Sequence, residues 1–139
     1  MALLVKADLL NYIDLSTLNQ LTDGTDAYIT DAIKDAEARI TERISQRIDT
    51  AAEYVKAGAA RDRSLLKHAI SITIYYLFER LYTDVLPEGR VEAYKMAEAW
   101  LEDINEGKIT VALTKKDEST QKGWPVRWGS EPKKGSANY

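Results

Sequence analysis

The segment Ser64–Tyr82, SLLKHAISITIYYLFERLY, decides how the rest of the chain can fold. It is the longest strongly apolar stretch of the sequence, and no glycine or proline interrupts it. In its middle, between Ala69 and Leu77, apolar residues fall on every side of a helical projection. A helix that is apolar all round has to be covered on all sides. The segment is therefore predicted to be the central helix of one small core.

Four β-branched or aromatic residues of this segment also alternate with a period of two, as in a buried strand: Ile70, Ile72, Ile74 and Tyr76. Length favours the helix, since the segment exceeds the roughly 4–8 residues of a usual strand. Asp62 or Ser64 would also cap a helix that begins at Leu65. The buried helix is the preferred interpretation, and the strand is the alternative.

Length and composition limit the class of protein. A chain of 139 residues has the size of one domain, which is typically about 100–150 residues. The absence of cysteine excludes disulfides and thiolate metal sites and fits a reducing cytoplasm. A net charge of −3 argues against wrapping nucleic acid, which usually needs a basic face. The opening MALLVKADLL resembles neither a signal peptide nor a membrane span. We expect a soluble protein made in the cytoplasm, with no membrane partner.

The sequence on either side of the central segment reads as further helices. Lys6 to Tyr12 and a turn around Leu18 and Leu21 are predicted to be two short helices. From Asp26 to about Asp49, isoleucines recur every three or four residues and form one apolar stripe. Pro87 begins a last long helix that runs to about Glu106. The stretch between the second long helix and the central one, Thr50–Arg63, is predicted to fray into a loop.

The C-terminal part differs from the rest in composition. In KITVAL, residues 108–113, the apolar residues Ile109, Val111 and Leu113 alternate as in an edge strand. Lys115–Tyr139 is rich in Lys, Gly, Ser and Pro, and cannot bury enough apolar area to order itself. The prediction is an all-α fold: a small helical bundle of two short and three long helices, with a short C-terminal β-strand and an extended C-terminal arm. The helical domain would cover residues 1–114 and the arm residues 115–139.

The arm contains a short apolar cluster that is typical of interface anchors. Its members are Trp124, Pro125, Val126 and Trp128. Together with the strand residues Ile109, Val111 and Leu113, they are the candidates for contact with a neighbouring subunit or a larger partner. Such a segment can become ordered on its partner, and a strand can add to a neighbour's edge.

The sequence offers no pattern for catalysis, a cofactor or a metal. The single histidine, His68, lies in the most buried helix without a nucleophile motif, so a structural role is preferred. Asp23, Asp26 and Asp31 do not follow the calcium-loop pattern, and turn and cap roles explain them better. No phosphate-binding glycine motif is present. We therefore expect neither an enzyme nor a bound cofactor.

Three arginines spaced four residues apart form a basic stripe on the second predicted long helix: Arg39, Arg43 and Arg47. They are candidates for contact with DNA phosphates or an acidic partner. The preferred interpretation is a solvated helix face whose charge is balanced by Asp35 and Glu42 at helical spacing.

The order and spacing of several elements resemble a known family. They are Gln20–Asp23 ending a short helix, Asp35–Glu37 in a long helix, Tyr75–Leu77 in the buried helix, and then Arg90, Tyr94, Ala97, Trp100, Leu101 and Gly107 before the strand. From about Val5 to Leu113, this pattern resembles the small helical head–tail connector proteins of tailed bacteriophages, which include a Mu-like family.

The resemblance implies a structural protein of the virion neck, assembled in the host cytoplasm. A ring of subunits, commonly twelve, would dock beneath the portal protein and carry the stopper or tail protein. Double-stranded DNA would pass through the ring without sequence-specific binding. The loop Thr50–Arg63 would point toward the tail, and the segment Gly107–Tyr139 would reach toward the portal.

Two other functions remain open from the sequence. A tail-completion or tail-terminator protein would act lower in the same neck. A small DNA-binding regulator would use the arginine stripe on phosphates and would show a steep salt dependence of DNA affinity.

Overall fold

The computed structural model describes residues 3–81 and 86–116. In this part, the chain forms six α-helices and one short 3-10 turn at Gly58–Ala60. The helices are α1 (Lys6–Leu9), α2 (Leu15–Thr22), α3 (Asp26–Ile44), α4 (Thr50–Tyr54), α5 (Arg63–Leu81) and α6 (Glu88–Asn105). The predicted helical fold is confirmed, and α3, α5 and α6 are its three long helices. No described helix has the length and apolar character needed to cross a bilayer.

Helix α5 is the centre of the bundle, as the apolar segment predicted. Ile72 and Ile74 are fully buried, and so are residues on its other sides such as Ala69. The Asp62 carboxylate accepts a hydrogen bond of 2.8 Å from the Leu65 N–H and so caps the first turn. The strand alternative is wrong, because the alternating isoleucines lie on a helix that is covered all round.

The three long helices pack with α5 antiparallel to both of its partners. Tyr75 and His68 of α5 meet Tyr94 and Trp100 of α6, so the residue numbers run in opposite directions along the contact. In the same way Arg80, near the end of α5, lies 3.5 Å from the ring centre of Tyr28, near the start of α3. Helices α3 and α6 therefore run parallel to each other on one side of α5.

Helix α3 ends at Ile44 rather than at the predicted Asp49, and an extra short helix follows it. The reason is the double role of Asp49. Its carboxylate accepts a hydrogen bond from the Ala52 N–H at 3.2 Å, which starts α4, and its own N–H donates to the Thr114 carbonyl at 2.8 Å. A backbone N–H committed to another segment cannot continue the helix. Part of the predicted loop is thus helix α4.

The predicted strand at residues 108–113 does not form within the described part of the chain. One antiparallel bridge joins Ile48 to Lys115, and the Lys116 N–H donates to the Arg47 carbonyl at 3.0 Å. Apolar alternation alone does not make a strand, because a strand also needs a partner along its length. The predicted domain boundary at residue 114 falls inside this paired region. The arm beyond Lys116 lies outside the described residues.

Candidate interaction surfaces

The three arginines of the predicted basic stripe lie at the contact between α3 and α6. Arg39 donates two hydrogen bonds to Glu98, of 3.0 Å from Nε and 2.8 Å from Nη2. Arg43 approaches Glu102 at 3.4 Å, and Arg47 Nε donates to the Asn105 carbonyl at 2.7 Å. We call this set of contacts the arginine seam. It fastens the two parallel helices together along their length.

The acidic partners in the arginine seam balance most of the positive charge that the sequence analysis assigned to a solvated face of α3. Hydrogen bonding to Arg39 holds the pKa of Glu98 below its usual value, so the carboxylate stays charged. Glu42 pairs with Arg39 at 2.8 Å, as the preferred interpretation predicted, but Asp35 has no such contact in the described residues. Arginines that are already paired with carboxylates have little attraction left for DNA phosphates. This geometry favours a structural role for the stripe.

The candidate contact residues of the C-terminal segment differ in exposure. Leu113 is buried at 4%, Val111 is partly buried, and Ile109 is exposed at 37%. Val111 and Ile109 line a cavity of about 230 Å³ next to Lys115, where the described chain leaves the bundle. Ile48, Ile104 and Arg47 line the same cavity. Leu113 is thus a core residue, whereas Ile109 and Val111 remain available for contact with a partner.

Glu53 of α4 holds the C-terminal segment against the bundle. Its carboxylate is almost completely buried and accepts hydrogen bonds from the Thr114 N–H at 2.8 Å and from the Thr114 hydroxyl at 2.5 Å. Lys56 Nζ lies 2.9 Å from the same oxygen. Burial acts to raise the pKa of Glu53, but these donors outweigh it and lower the pKa below its usual value. We call this contact the Glu53 latch.

Five of the exposed large apolar residues form two sets, one near each end of the bundle; Val5, Tyr28, Leu81 and Met96 belong to neither set. Leu10 and Tyr12 line a cleft where α6 begins, and the Tyr12 carbonyl accepts a hydrogen bond from Arg90 at 3.0 Å. Leu15, the first residue of α2, is also exposed. We call this surface the α1–α2 end. Val55 and Ile109 lie at the other end, beside the latch, which we call the arm end. Both sets are candidate contacts for partners.

The Glu53 latch also joins two segments that the resemblance placed toward different partners. The resemblance placed the loop Thr50–Arg63 toward the tail and the segment Gly107–Tyr139 toward the portal. In the structure, Glu53 of the former binds Thr114 of the latter. The described parts of the two segments are therefore in contact, and Arg61 of the loop also donates to Asp8 of α1 at 2.7 Å. The placement of the loop toward the tail and of the C-terminal segment toward the portal stays a prediction.

Comparison with known families decides the kind of protein. The family model described as bacteriophage Mu Gp36 matches residues 4–127, most of the chain. The chain belongs to the bacteriophage Mu Gp36 family. The predicted phage relationship is confirmed, and it indicates a structural or morphogenesis protein. No curated protein and no solved structure matches the chain.

The remaining candidate residues of this Gp36-family chain have structural positions. The His68 ring packs against Trp100 with centroids 4.7 Å apart, and burial lowers its pKa, which keeps it neutral. Asp23 ends α2 with a left-handed backbone, and Asp26 pairs with Lys6 at 3.1 Å. Among residues 3–81 and 86–116, no three acidic, histidine or cysteine side chains are close enough to hold a metal ion.

The arm residues Trp124, Pro125, Val126 and Trp128 lie outside the described residues, and the family match, which ends at residue 127, includes the first three of them. Their assignment as contact residues stays a prediction.

Sequence reasoning missed the residues that lock the Gp36-family fold. Glu98 and Glu102 bind Arg39 and Arg43, and their spacing of four matches that of these arginines. That shared spacing was the available signal. Asp8, which accepts a hydrogen bond from Arg61 at 2.7 Å, and Glu53 gave none, because both bind residues more than 50 positions away.

Proposed function

We propose that this protein is a head–tail connector of the virion neck. Subunits would form a ring, of twelve by resemblance to phage connectors, that docks beneath the portal protein and carries the stopper or tail protein. Double-stranded DNA passes through the ring without sequence-specific binding. The proposal includes no catalytic step and no cofactor.

The observation that carries the proposal is the membership of a phage protein family, together with exposed apolar side chains near both ends of the bundle. The 19 residues of α3 extend over roughly 28 Å at about 1.5 Å per residue. A connector has to contact one partner above and another below, and two separated apolar surfaces meet that need. We assign the arm end to the portal and the α1–α2 end to the stopper or tail.

The charge distribution is compatible with DNA passage. Residues 1–114 contain 13 Lys and Arg against 19 Asp and Glu, so the domain carries a net charge of −6. The arginine seam is turned inward to Glu98 and Glu102. Repeated around a ring, an acidic surface with few free cations repels the phosphate backbone, which allows DNA to slide.

Light scattering of the purified protein, alone and mixed with the portal protein of the same phage, tests the proposal. We expect a complex of defined stoichiometry with the portal. A variant that ends at Lys116 keeps both backbone bonds to residues 47–49 and should lose portal binding while its circular dichroism spectrum remains helical. Normal portal binding by this variant would contradict the assignment of the arm.

The same experiment separates the alternatives. Binding to tail components but not to the portal would indicate a tail-completion or tail-terminator protein. Binding to neither would return attention to a DNA-binding regulator. For the regulator, a gel shift at two salt concentrations should show DNA affinity that falls steeply with salt.

A further inference from the structure

The first half of α3 and the last turns of α5 form a groove that the proposed function does not use. Two adjoining clefts of about 410 and 260 Å³ share Asp35, Tyr76 and Arg80 as lining residues. Tyr28 and Asp31 extend the lining on one side, and Glu79 on the other. We call this surface the α3–α5 groove.

The groove has an excess of unpaired negative charge. Within the described part of the chain, Asp31, Asp35 and Glu79 form no ion pair. The single cation of the groove, Arg80, is already held by the Leu21 carbonyl at 2.7 Å and lies 3.9 Å from Asp23. Three free carboxylates beside aromatic rings are suited to a ligand that is both cationic and aromatic.

Arg80 itself shows how this surface binds a guanidinium group. Its central carbon lies 3.5 Å from the ring centre of Tyr28, a close cation–π contact. Tyr76, which is half-buried, offers a second ring in the lining of both clefts. This contact is independent of the acidic residues and points to the same kind of ligand.

The chain contains a segment with matching chemistry. Residues 115–139 contain six Lys and Arg against three Asp and Glu, a net charge of +3 opposite the −6 of residues 1–114. Within them Lys122–Trp128, KGWPVRW, has two cations, two tryptophans and no acidic residue. Opposite charge of this size favours association of the arm with the domain.

We propose that the α3–α5 groove is the docking site for Lys122–Trp128 of a neighbouring copy. Arg127 and Lys122 face the free carboxylates, and the tryptophans pack on the tyrosines. The arm leaves its own domain at Lys116, beyond the end of α3, whereas the groove lies along the first half of that helix. An arm that binds a different surface of the next copy makes a head-to-tail contact, which closes into a ring when the rotation allows.

This inference rests on the proposed function only in placing the neighbour in a ring. It differs from the portal contact, because it gives the arm a destination on the protein itself. The test below therefore uses the full-length protein without portal. Its failure would leave portal binding unaffected.

The sequence contains no cysteine, so single introduced thiols give an unambiguous cross-linking test. One full-length variant carries Lys34→Cys, an exposed position three residues from Asp31 on the same helix side. The other carries Gly123→Cys, next to Trp124. In the matched control pair, a variant with Glu92→Cys, at an exposed position of α6, is used in place of the Lys34→Cys variant. The variants are mixed under mild oxidation, and the disulfide-linked dimer between them is quantified.

We expect the Lys34→Cys and Gly123→Cys pair to give several times more mixed dimer than the control pair. Arg127→Glu in the arm should reduce the yield to the control level, and so should Asp31→Lys with Asp35→Lys in the groove. Combining Arg127→Glu in the arm with Asp31→Lys and Asp35→Lys in the groove should restore the yield of mixed dimer, because the charges are again opposite. Equal yields with the Glu92→Cys control would overturn the docking site. A further full-length variant carries both Lys34→Cys and Gly123→Cys. If its disulfide forms within one chain while the mixed single variants give no more dimer than the control, the assignment to a neighbour is overturned.

Discussion

Arg39 and Glu98 form a two-point ion pair across 59 residues of sequence, with contacts of 3.0 and 2.8 Å. A fork of two parallel hydrogen bonds fixes direction as well as distance. Four residues further along each helix, Arg43 and Glu102 repeat the pairing at 3.4 Å. The repeat at a constant offset fixes the parallel register of α3 against α6.

The first prediction concerns this ion pair. Arg39→Ala should lower the free energy of unfolding by roughly 1–2 kcal/mol, between the values for an exposed ion pair and for a charged hydrogen bond. Urea unfolding of Arg39→Ala, Glu98→Ala and the double variant would measure the coupling. Lys95→Ala is the control, since its contact with Glu92 is exposed and 4.0 Å long. A coupling no larger than that of the control pair would contradict the seam.

The second prediction concerns the Glu53 latch. Glu53→Gln removes the charge that the Thr114 and Lys56 donors stabilise, and should cost about 1–3 kcal/mol. Amide hydrogen exchange at Thr114 and Lys116 should accelerate, because both N–H groups lie in the segment that the latch holds. Glu106→Gln, which affects an exposed ion pair with Lys108, should leave these amides protected.

The third prediction is the pH dependence of the same contact. The folded protein lowers the pKa of Glu53 from its usual 4.5. A lowered carboxyl pKa contributes stability above pH 4.5, and that contribution is lost as the pH falls through the folded value. The acid-induced loss of protection at Thr114 should therefore be present in the unmodified protein and absent in Glu53→Gln. Identical acid profiles would show that another group controls the segment.

The fourth prediction separates core from surface in the C-terminal segment. Leu113→Ala should destabilise the protein by about 2–5 kcal/mol, as expected for a buried leucine. Ile109→Ala, at an exposed position, should change stability little. If Ile109 contacts the portal, its substitution should instead weaken portal binding. Urea midpoints and portal binding of both variants would check the assignment.

The fifth prediction concerns the α1–α2 end. Leu15→Glu places a charge on a side chain that is 51% exposed, so the monomer should stay folded while binding to the stopper or tail protein is weakened. Met96→Glu, at 61% exposure on α6, is the matched control and should bind normally. Pull-down with the tail-side proteins of the same phage would compare the two. Equal binding by both variants would show that the α1–α2 end does not contact the stopper or tail protein.

The sequence predicted the elements that depend on local pattern. The apolar segment around Ile72 could be identified as the central helix because its composition allows no solvent-facing side, and the isoleucine stripe of α3 showed which face is buried. The end of α3 could not be predicted, since it depends on the bond from Asp49 to Thr114, 65 residues away.

The local sequence pattern could not identify all the partners of the arginine stripe either. Helical spacing proposed Asp35 and Glu42 as partners, because these lie on the same helix. The structure shows that Arg39 binds Glu98 as well as Glu42, which requires knowing that α3 and α6 run side by side in the same direction. That arrangement follows from how both helices cover α5.

The offset of 59 residues between Arg39 and Glu98 also has a consequence for the order in which the protein can fold during synthesis. Ribosomes add about 5–20 residues per second, so the arginine is made roughly 3–12 s before its carboxylate partner. During that interval, Arg39 lacks its Glu98 partner, and the side of α3 that packs on α6 is uncovered. The bundle can therefore close only after α6 has left the ribosome, when almost the whole domain has been translated.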